Sequence, residues 1–375
     1  MTGFSAGPTD PQSRRVALVL SGGVALGAYQ AGAYEHLHEE GPEPTWIVGT
    51  STGALNGAII AGNPPERRLQ RLREFWSVAA WPNMTIPYHR PAPLFWQGAD
   101  SAASAAWTRL FGCPAFFMPS PAAFWPGQKN RPGLYDLAPL EATLKRYVDF
   151  ELLNDGPLRM TVTAVDVESG ETVLFDTLRQ RIGPEHLIAS SAFLPDFRPV
   201  QIDGRLFGDG GLRANLPIGP VLEDTDSADM MCIAVDLFGI RGTLPGSITA
   251  AADRREELLL ATQSHDALAA YRRMHELRCK LARLAASIPG DVRGDPAVAD
   301  ALADCTASAV TILHLVHRGD RGGGVLGLYD FSTAALQERW AAGFRDMREG
   351  LALLGGSEAQ HRTPGFKIIA AGGSR

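Results

Sequence analysis

The chain has few cysteines, no long apolar run and no large excess of either charge. Its four cysteines, Cys113, Cys232, Cys279 and Cys305, lie far apart. No CxxC pair and no His/Cys set with zinc spacing occurs, so neither a disulfide framework nor a metal site is expected. Four free thiols fit a reducing compartment, and the expected location is cytoplasmic, with at most peripheral contact to a membrane. No stretch approaches the ~20 apolar residues of a membrane span. The run Val16–Leu20 behind Arg14 and Arg15 stops at Ser21-Gly22-Gly23, short of the ~7–15 residues of a signal-peptide core. Net charge is −6, which argues against a nucleic-acid partner held by a global basic field. There is no internal repeat and no calcium-loop pattern. What is present, 45% apolar and 20% charged residues, excludes a disordered or collagen-like chain and permits a sizeable core.

Val16–Leu20 is a short, continuous apolar stretch, the pattern of a buried parallel strand. A Gly-rich turn follows, then an expected helix from Ala28 to Glu40, a strand at Trp46–Val48 and a helix of small residues at Ala54–Ala61. This βαβ opening favours an α/β fold with a largely parallel sheet and helices on both faces. Arg67–Trp76 reads as a helix. Residues 77–132 change character, holding four of the seven tryptophans and nine prolines. They read as an insertion, either a small satellite core or a lid or acyl pocket at a lipid interface. Leu137–Tyr147 is an expected helix. Leu158, Met160, Val162 and Ala164 alternate with polar residues as a half-buried strand would, and Thr172–Phe175 follows as a strand. Pro184–Phe193 looks helical. Val200–Ile202 and Arg205–Phe207 flank Asp203-Gly204, a hairpin signal. Met230–Leu237 is another buried strand, Ala250–Ile288 a long amphipathic helix or helix pair, Val310–Val316 a late strand and Thr333–Leu354 a closing helix.

Three stretches could carry chemistry. Gly49-Thr50-Ser51-Thr52-Gly53 follows a strand and precedes a helix. A sharp strand-to-helix turn there lifts a serine hydroxyl clear of the backbone and sets it near a helix N-terminus. Ser21-Gly22-Gly23-Val24-Ala25-Leu26-Gly27 is a second Gly-rich turn. It lacks the middle glycine of a dinucleotide fingerprint and the lysine of a P-loop. An oxyanion hole of backbone N–H groups and a tight turn with no ligand both remain open. Asp209-Gly210-Gly211 is the third, either a carboxylate aimed into a cleft or an Asx-type turn.

Together the three resemble the motif set of the patatin-like phospholipases. Gly27-Ala28-Tyr29-Gln30-Ala31-Gly32, Ala189-Ser190-Ser191-Ala192-Phe193-Leu194-Pro195 and Asn215-Leu216-Pro217 add to the likeness. The resemblance covers residues 15–240, behind a flexible tail at 1–14, and leaves 241–375 as a mainly helical C-terminal region of a bacterial subgroup. It implies a three-layer sandwich with a mostly parallel sheet. It also implies a serine lipid acyl hydrolase of phospholipase A, lysophospholipase or esterase type, needing no cofactor. Carried onto this chain, Ser51 is the nucleophile, Asp209 the general base, and the N–H groups of Gly22, Gly23 and Val24 the oxyanion hole. Gly27, Gly49, Gly53, Gly210 and Gly211 support the motifs. Two positions depart from the family turn G-G-G-x-[KR]-G: Val24 stands at the third glycine and Leu26 at the basic residue. Val24 can still donate its N–H if its φ is negative; a positive φ would be strained for a β-branched side chain. Leu26 removes a cation that could meet a phosphate, which leaves neutral esters or polyesters open. The alternative is a catalytically weak lipid-binding or regulatory protein on the same fold.

A Ser-His-Asp hydrolase would need His186, His265 or His314 as base. His314 and His317 frame an apolar strand without an evident carboxylate. On the long helix, Tyr271, Met274, Leu277, Leu281, Leu284 and Ile288 form a stripe expected to be buried, with the basic residues on a solvated or membrane-facing side.

Overall fold

A computed structural model describes residues 15–81, 97–120, 133–224, 229–293, 295–303, 305–318, 327–358 and 364–372. The tail at 1–14, and Phe95, Trp96, Phe124 and Trp125 of the aromatic insertion, lie outside them. The strands are β1 (Arg15–Leu20), β2 (Trp46–Thr50), β3 (Met118–Pro119), β4 (Tyr135–Asp136), β5 (Arg159–Asp166), β6 (Thr172–Asp176), β7 (Val200–Ile202), β8 (Arg205–Asp209), β9 (Met230–Asp236), β10 (Ala309–Val316) and β11 (Gly365–Ala371). The helices are α1 (Gly27–Glu40), α2 (Thr52–Ala61), α3 (Pro65–Ala79), α4 (Gln97–Phe111), α5 (Ala138–Tyr147), α6 (Phe150–Asp155), α7 (Pro184–Ser190), α8 (Gly219–Leu222), α9 (Ile248–Ala286), α10 (Gly290–Arg293), α11 (Pro296–Leu302) and α12 (Thr333–Glu358).

One sheet dominates, with six parallel strands in the order β11-β10-β9-β1-β2-β5. Beyond them β6 and β8 pair antiparallel with β5, and β7 pairs antiparallel with β8. The period-two alternation of strands divides the core. Val16, Leu18 and Leu20 face one side with Ile233, Val235 and Leu313. Ala17 and Val19 face the other with Val48, Cys232 and Ile312. Helices α1, α2, α3 and α12 cover the first face, and α8 and α9 the second. Burial on both faces is why these strands read as unbroken apolar runs.

The same coverage overturns the half-buried reading of β5. Thr161 and Thr163 are as buried as their apolar neighbours, and each hydroxyl has a partner. Thr161 Oγ1 donates to Asp176 Oδ2 (2.6 Å) and accepts from Trp46 Nε1 (2.8 Å). Thr163 Oγ1 lies 2.6 Å from Thr50 Oγ1. Buried hydroxyls with partners cost little, so polarity in a strand does not by itself mark a solvent face.

The Asp203-Gly204 hairpin forms as expected, with φ of 50° and 82° at its two central residues. The C-terminal region contributes more strand than expected: besides β10, the unforeseen β11 completes the sheet edge. Helix α12 crosses α1 at unusually short range. A Cβ on Gly32 would fall 1.9 Å from the Trp340 carbonyl oxygen, and one on Gly343 1.9 Å from that of Tyr29. In the described part of the insertion, Phe116 and Phe117 are buried and join Phe75, Tyr135, Phe197 and Phe331 in one aromatic cluster. The stripe on α9 corrects a second expectation. Of that stripe Tyr271 packs on the core, but Met274, Leu277, Leu281 and Leu284 are exposed, because the helix buries Leu268 and Cys279.

Candidate active site

Ser51 sits between β2 and α2 with φ of 53°. A non-glycine residue at positive φ is strained. The strain is held in place from several sides. The Ser51 N–H donates to Ser190 Oγ (2.9 Å), and its carbonyl accepts from Ala54 N–H (2.9 Å) and Leu55 N–H (3.1 Å). Gly53 makes the turn possible, since a Cβ there would lie 2.3 Å from the Leu20 carbonyl oxygen. Gly49 packs on the Gly53 backbone, and Gly27 against Thr52 and Trp76.

Asp209 ends β8, and strand register delivers it to Ser51. One edge of β5 pairs with β6. On the other edge β2 pairs as far as Thr50 opposite Thr163, and β8 takes over with Asp209 opposite Ala164. The two strand ends therefore meet on consecutive positions of one edge. The Asp209 carboxylate accepts from Gly211 N–H at 2.7 Å, and the Ser51 hydroxyl lies close enough to lower its pKa. Gly210 packs on Thr163. Burial pushes the Asp209 carboxyl up to about 7, against the lowering by the nearby Ser51 hydroxyl and the Gly211 N–H. That value suits a general base near neutral pH.

The Gly-rich turn lies beside them. A Cβ on Gly22 would reach within 3.0 Å of Ser51 Cβ. The Gly22 N–H, however, donates to the Asn215 carbonyl (3.2 Å), while Asn215 Nδ2 donates to the Gly22 carbonyl (3.2 Å). Gly22 is thus committed to holding the turn. Among the described residues, no hydrogen-bond partner occupies the N–H of Gly23 or Val24. Val24 takes a positive φ of 50°, the strained alternative for a β-branched residue.

Sequence reasoning gave no role to the polar groups beneath this turn. Trp76 Nε1 donates to Asn56 Oδ1 (3.0 Å), Asn56 Nδ2 to Gln30 Oε1 (3.0 Å) and to the Gly27 carbonyl (2.9 Å), and Gln30 Nε2 to the Ser21 carbonyl (2.7 Å). Gln263 of α9 accepts from Asn215 N–H (3.0 Å). The available signal was Asn56, a polar side chain in the middle of the otherwise small and apolar α2.

The histidines stand elsewhere. His186 Nδ1 accepts from Gly183 N–H (2.9 Å) and its Nε2 lies 3.3 Å from Gln180 Nε2. Burial holds this imidazole below its usual pKa. His265 is exposed and pairs with Asp266. His314 does have a carboxylate beside it, Asp236 Oδ2 at 3.5 Å, contrary to the sequence expectation. Among the described residues, no group of three or more His, Cys, Asp or Glu is placed to hold a metal ion, and no helix is long and apolar enough to cross a membrane. A cavity of about 390 Å³ opens near α5, α7 and β7, but neither Ser51 nor Asp209 lines it.

The chain is 28% identical over 228 residues to uncharacterized NTE family proteins of Mycobacterium bovis and Mycobacterium tuberculosis. The match covers 60% of this chain and 50% of each relative, so the chain spans about half the length of the curated relatives it matches. Among solved structures it is similar to VipD of Legionella pneumophila (TM-score 0.35, 13% identity, 92% of this chain and 76% of that one). It is also similar to the type III effector ExoU (TM-score 0.33, 14% identity, 91% and 53%). The family model described as patatin phospholipase DUF3734 matches residues 261–358. That described as patatin-like phospholipase matches residues 18–222, more than half of the chain and all three motif stretches. The chain therefore belongs to the patatin-like phospholipase family.

Proposed function

We propose that the chain is a serine lipid acyl hydrolase working through a Ser51–Asp209 dyad and an acyl-enzyme. The observation that carries this reading is the strand register that sets Ser51 beside Asp209, a carboxylate whose burial brings its pKa to about 7. Ser51 Oγ attacks the ester carbonyl carbon as its proton passes to Asp209. The carbonyl electrons move onto oxygen, which the N–H groups of Gly23 and Val24 receive; such a donor is typically worth about 3–4 kcal/mol in the transition state. Collapse breaks the ester C–O bond, and the leaving alcohol takes the proton from Asp209. Water then attacks the acyl-Ser51 ester and gives its proton to Asp209. The fatty acid departs as Ser51 Oγ is reprotonated. Leu26 leaves the turn without a cation for a phosphate, so the proposed substrates run from phospholipids to neutral esters.

A fluorophosphonate probe tests the reading. Wild-type chain should be labelled at Ser51 alone. Asp209→Asn should abolish ester turnover, while His186, His265 and His314 changed singly to Ala should retain it. Loss in one folded histidine variant would replace the dyad with a triad. A folded but unlabelled chain would favour a lipid-binding protein of little activity, the reading that the strained Val24 and the engaged Gly22 N–H support.

A further inference from the structure

The long helix α9 reaches the site through Gln263, packs on the molecule through Ala261, Ser264, Leu268 and Cys279, and carries an exposed apolar row on another side. Ile248, Leu259, Met274, Leu277, Leu281 and Leu284 are between 41% and 91% exposed. At 3.6 residues per turn all six fall within an arc of ~80°, on a helix ~58 Å long. Nothing among the described residues covers them. Arg255, Arg273 and Lys280, also exposed, lie along one flank of that arc. Two acidic residues, Glu256 and Asp266, fall in the same arc, Glu256 only partly exposed and Asp266 beside His265. An antiparallel pairing of two copies would lay this basic row against itself, and like charges so placed repel.

From this combination we propose that the outer face of α9 docks on a bilayer bearing anionic head groups. An amphipathic helix of this kind lies in the plane of the interface with its apolar side among the acyl chains and its cations at the phosphates. The helix begins on the segment after β9, whose Leu237 packs against Gly23. Docking along α9 thus brings the nucleophile's edge of the sheet to the surface where acyl lipids reside. The choice of a lipid surface over an acidic protein rests on the hydrolase reading above.

Co-sedimentation of the full chain with vesicles tests the proposal. Vesicles of phosphatidylcholine mixed with phosphatidylglycerol should bind it, and phosphatidylcholine alone should bind it far less. Each cation at an anionic surface is worth about fivefold in partition, so Arg273→Glu with Lys280→Glu should weaken binding by about 25-fold or more. Leu277→Ser with Leu281→Ser should weaken it comparably. Both double variants should keep wild-type hydrolysis of a short water-soluble ester. Should the leucine pair lose helix content, the charge pair, which alters exposed flanks only, decides. Equal binding to both vesicle types, binding untouched by either pair, or a dimer dispersed by the leucine pair would overturn the proposal. Vesicle binding by a chain that cleaves no ester would keep the docking face and remove the hydrolase reading; ester cleavage without vesicle binding would do the reverse.

Discussion

At the scale of single residues, the site is held in states that a free chain would avoid. Asp209 is 2% exposed, and its carboxyl is raised from 3.8 to about 7. Between these values the folded chain keeps a proton that the unfolded chain has lost. Stability therefore falls as pH rises from about 4 to about 7 and is flat above. A rise of about three units corresponds to about 4 kcal/mol. Asp209→Asn should accordingly raise stability at pH 8 by on the order of 2–4 kcal/mol, with little gain at pH 4. Urea unfolding at the two pH values checks this, and an equal gain at both would remove the buried charge as its cause. Wild-type turnover should climb through pH 7 as the base ionises. Val24 is the second such position. Its left-handed backbone costs roughly 1–2 kcal/mol, of which glycine would return part after its own loss of chain entropy. Val24→Gly should raise the urea midpoint slightly and leave fluorophosphonate labelling at least as fast. A clear loss of stability would show that the valine side chain holds the turn. The sequence named both residues, but not their states: burial of a carboxylate and the sign of φ depend on neighbours distant along the chain.

At the scale of elements, strands were legible wherever a face-to-face burial left an unbroken apolar run, as in β1 and β9. Thr161 and Thr163 misled because their partners, Asp176 and Thr50, lie on other strands. The apolar periodicity of α9 was equally visible, yet period alone cannot say which of two apolar stripes meets the core. Strand β11, at an edge and only partly buried, gave too faint a pattern. Nor did sequence reveal that α1 and α12 touch backbone to backbone through Gly32 and Gly343. Two glycines in helices otherwise cost stability, so close approach is what offsets them. Gly343→Val should force the helices apart and lower stability by about 2–3 kcal/mol or more. Because α1 opens on the Gly-rich turn, ester turnover should fall with it. Calorimetry and an ester assay check both; Gly355→Val, in the same helix with nothing within 4 Å of its added Cβ, should show neither effect.

At the scale of the whole molecule, the C-terminal region completes the sheet that carries the site. Strand β10 pairs the whole of β9, and α12 covers α1. A chain ended at residue 303 keeps Ser51, Asp209 and the entire Gly-rich turn but exposes the apolar edge of β9. It should aggregate or fail to turn over ester, measured as recovered folded protein and activity. Full activity from that fragment would show that β10, β11 and α12 are ornament. The antiparallel end of the sheet has a different bearing. Because β2 and β8 abut along one side of β5, the gap between hydroxyl and carboxylate is a matter of counting residues, not of how snugly side chains nest. One amino acid inserted in β8 would shift its end by about 3.3 Å and turn the carboxylate to the opposite side. Substitutions can drift widely around such a ruler, whereas insertions and deletions between Arg205 and Asp209 cannot.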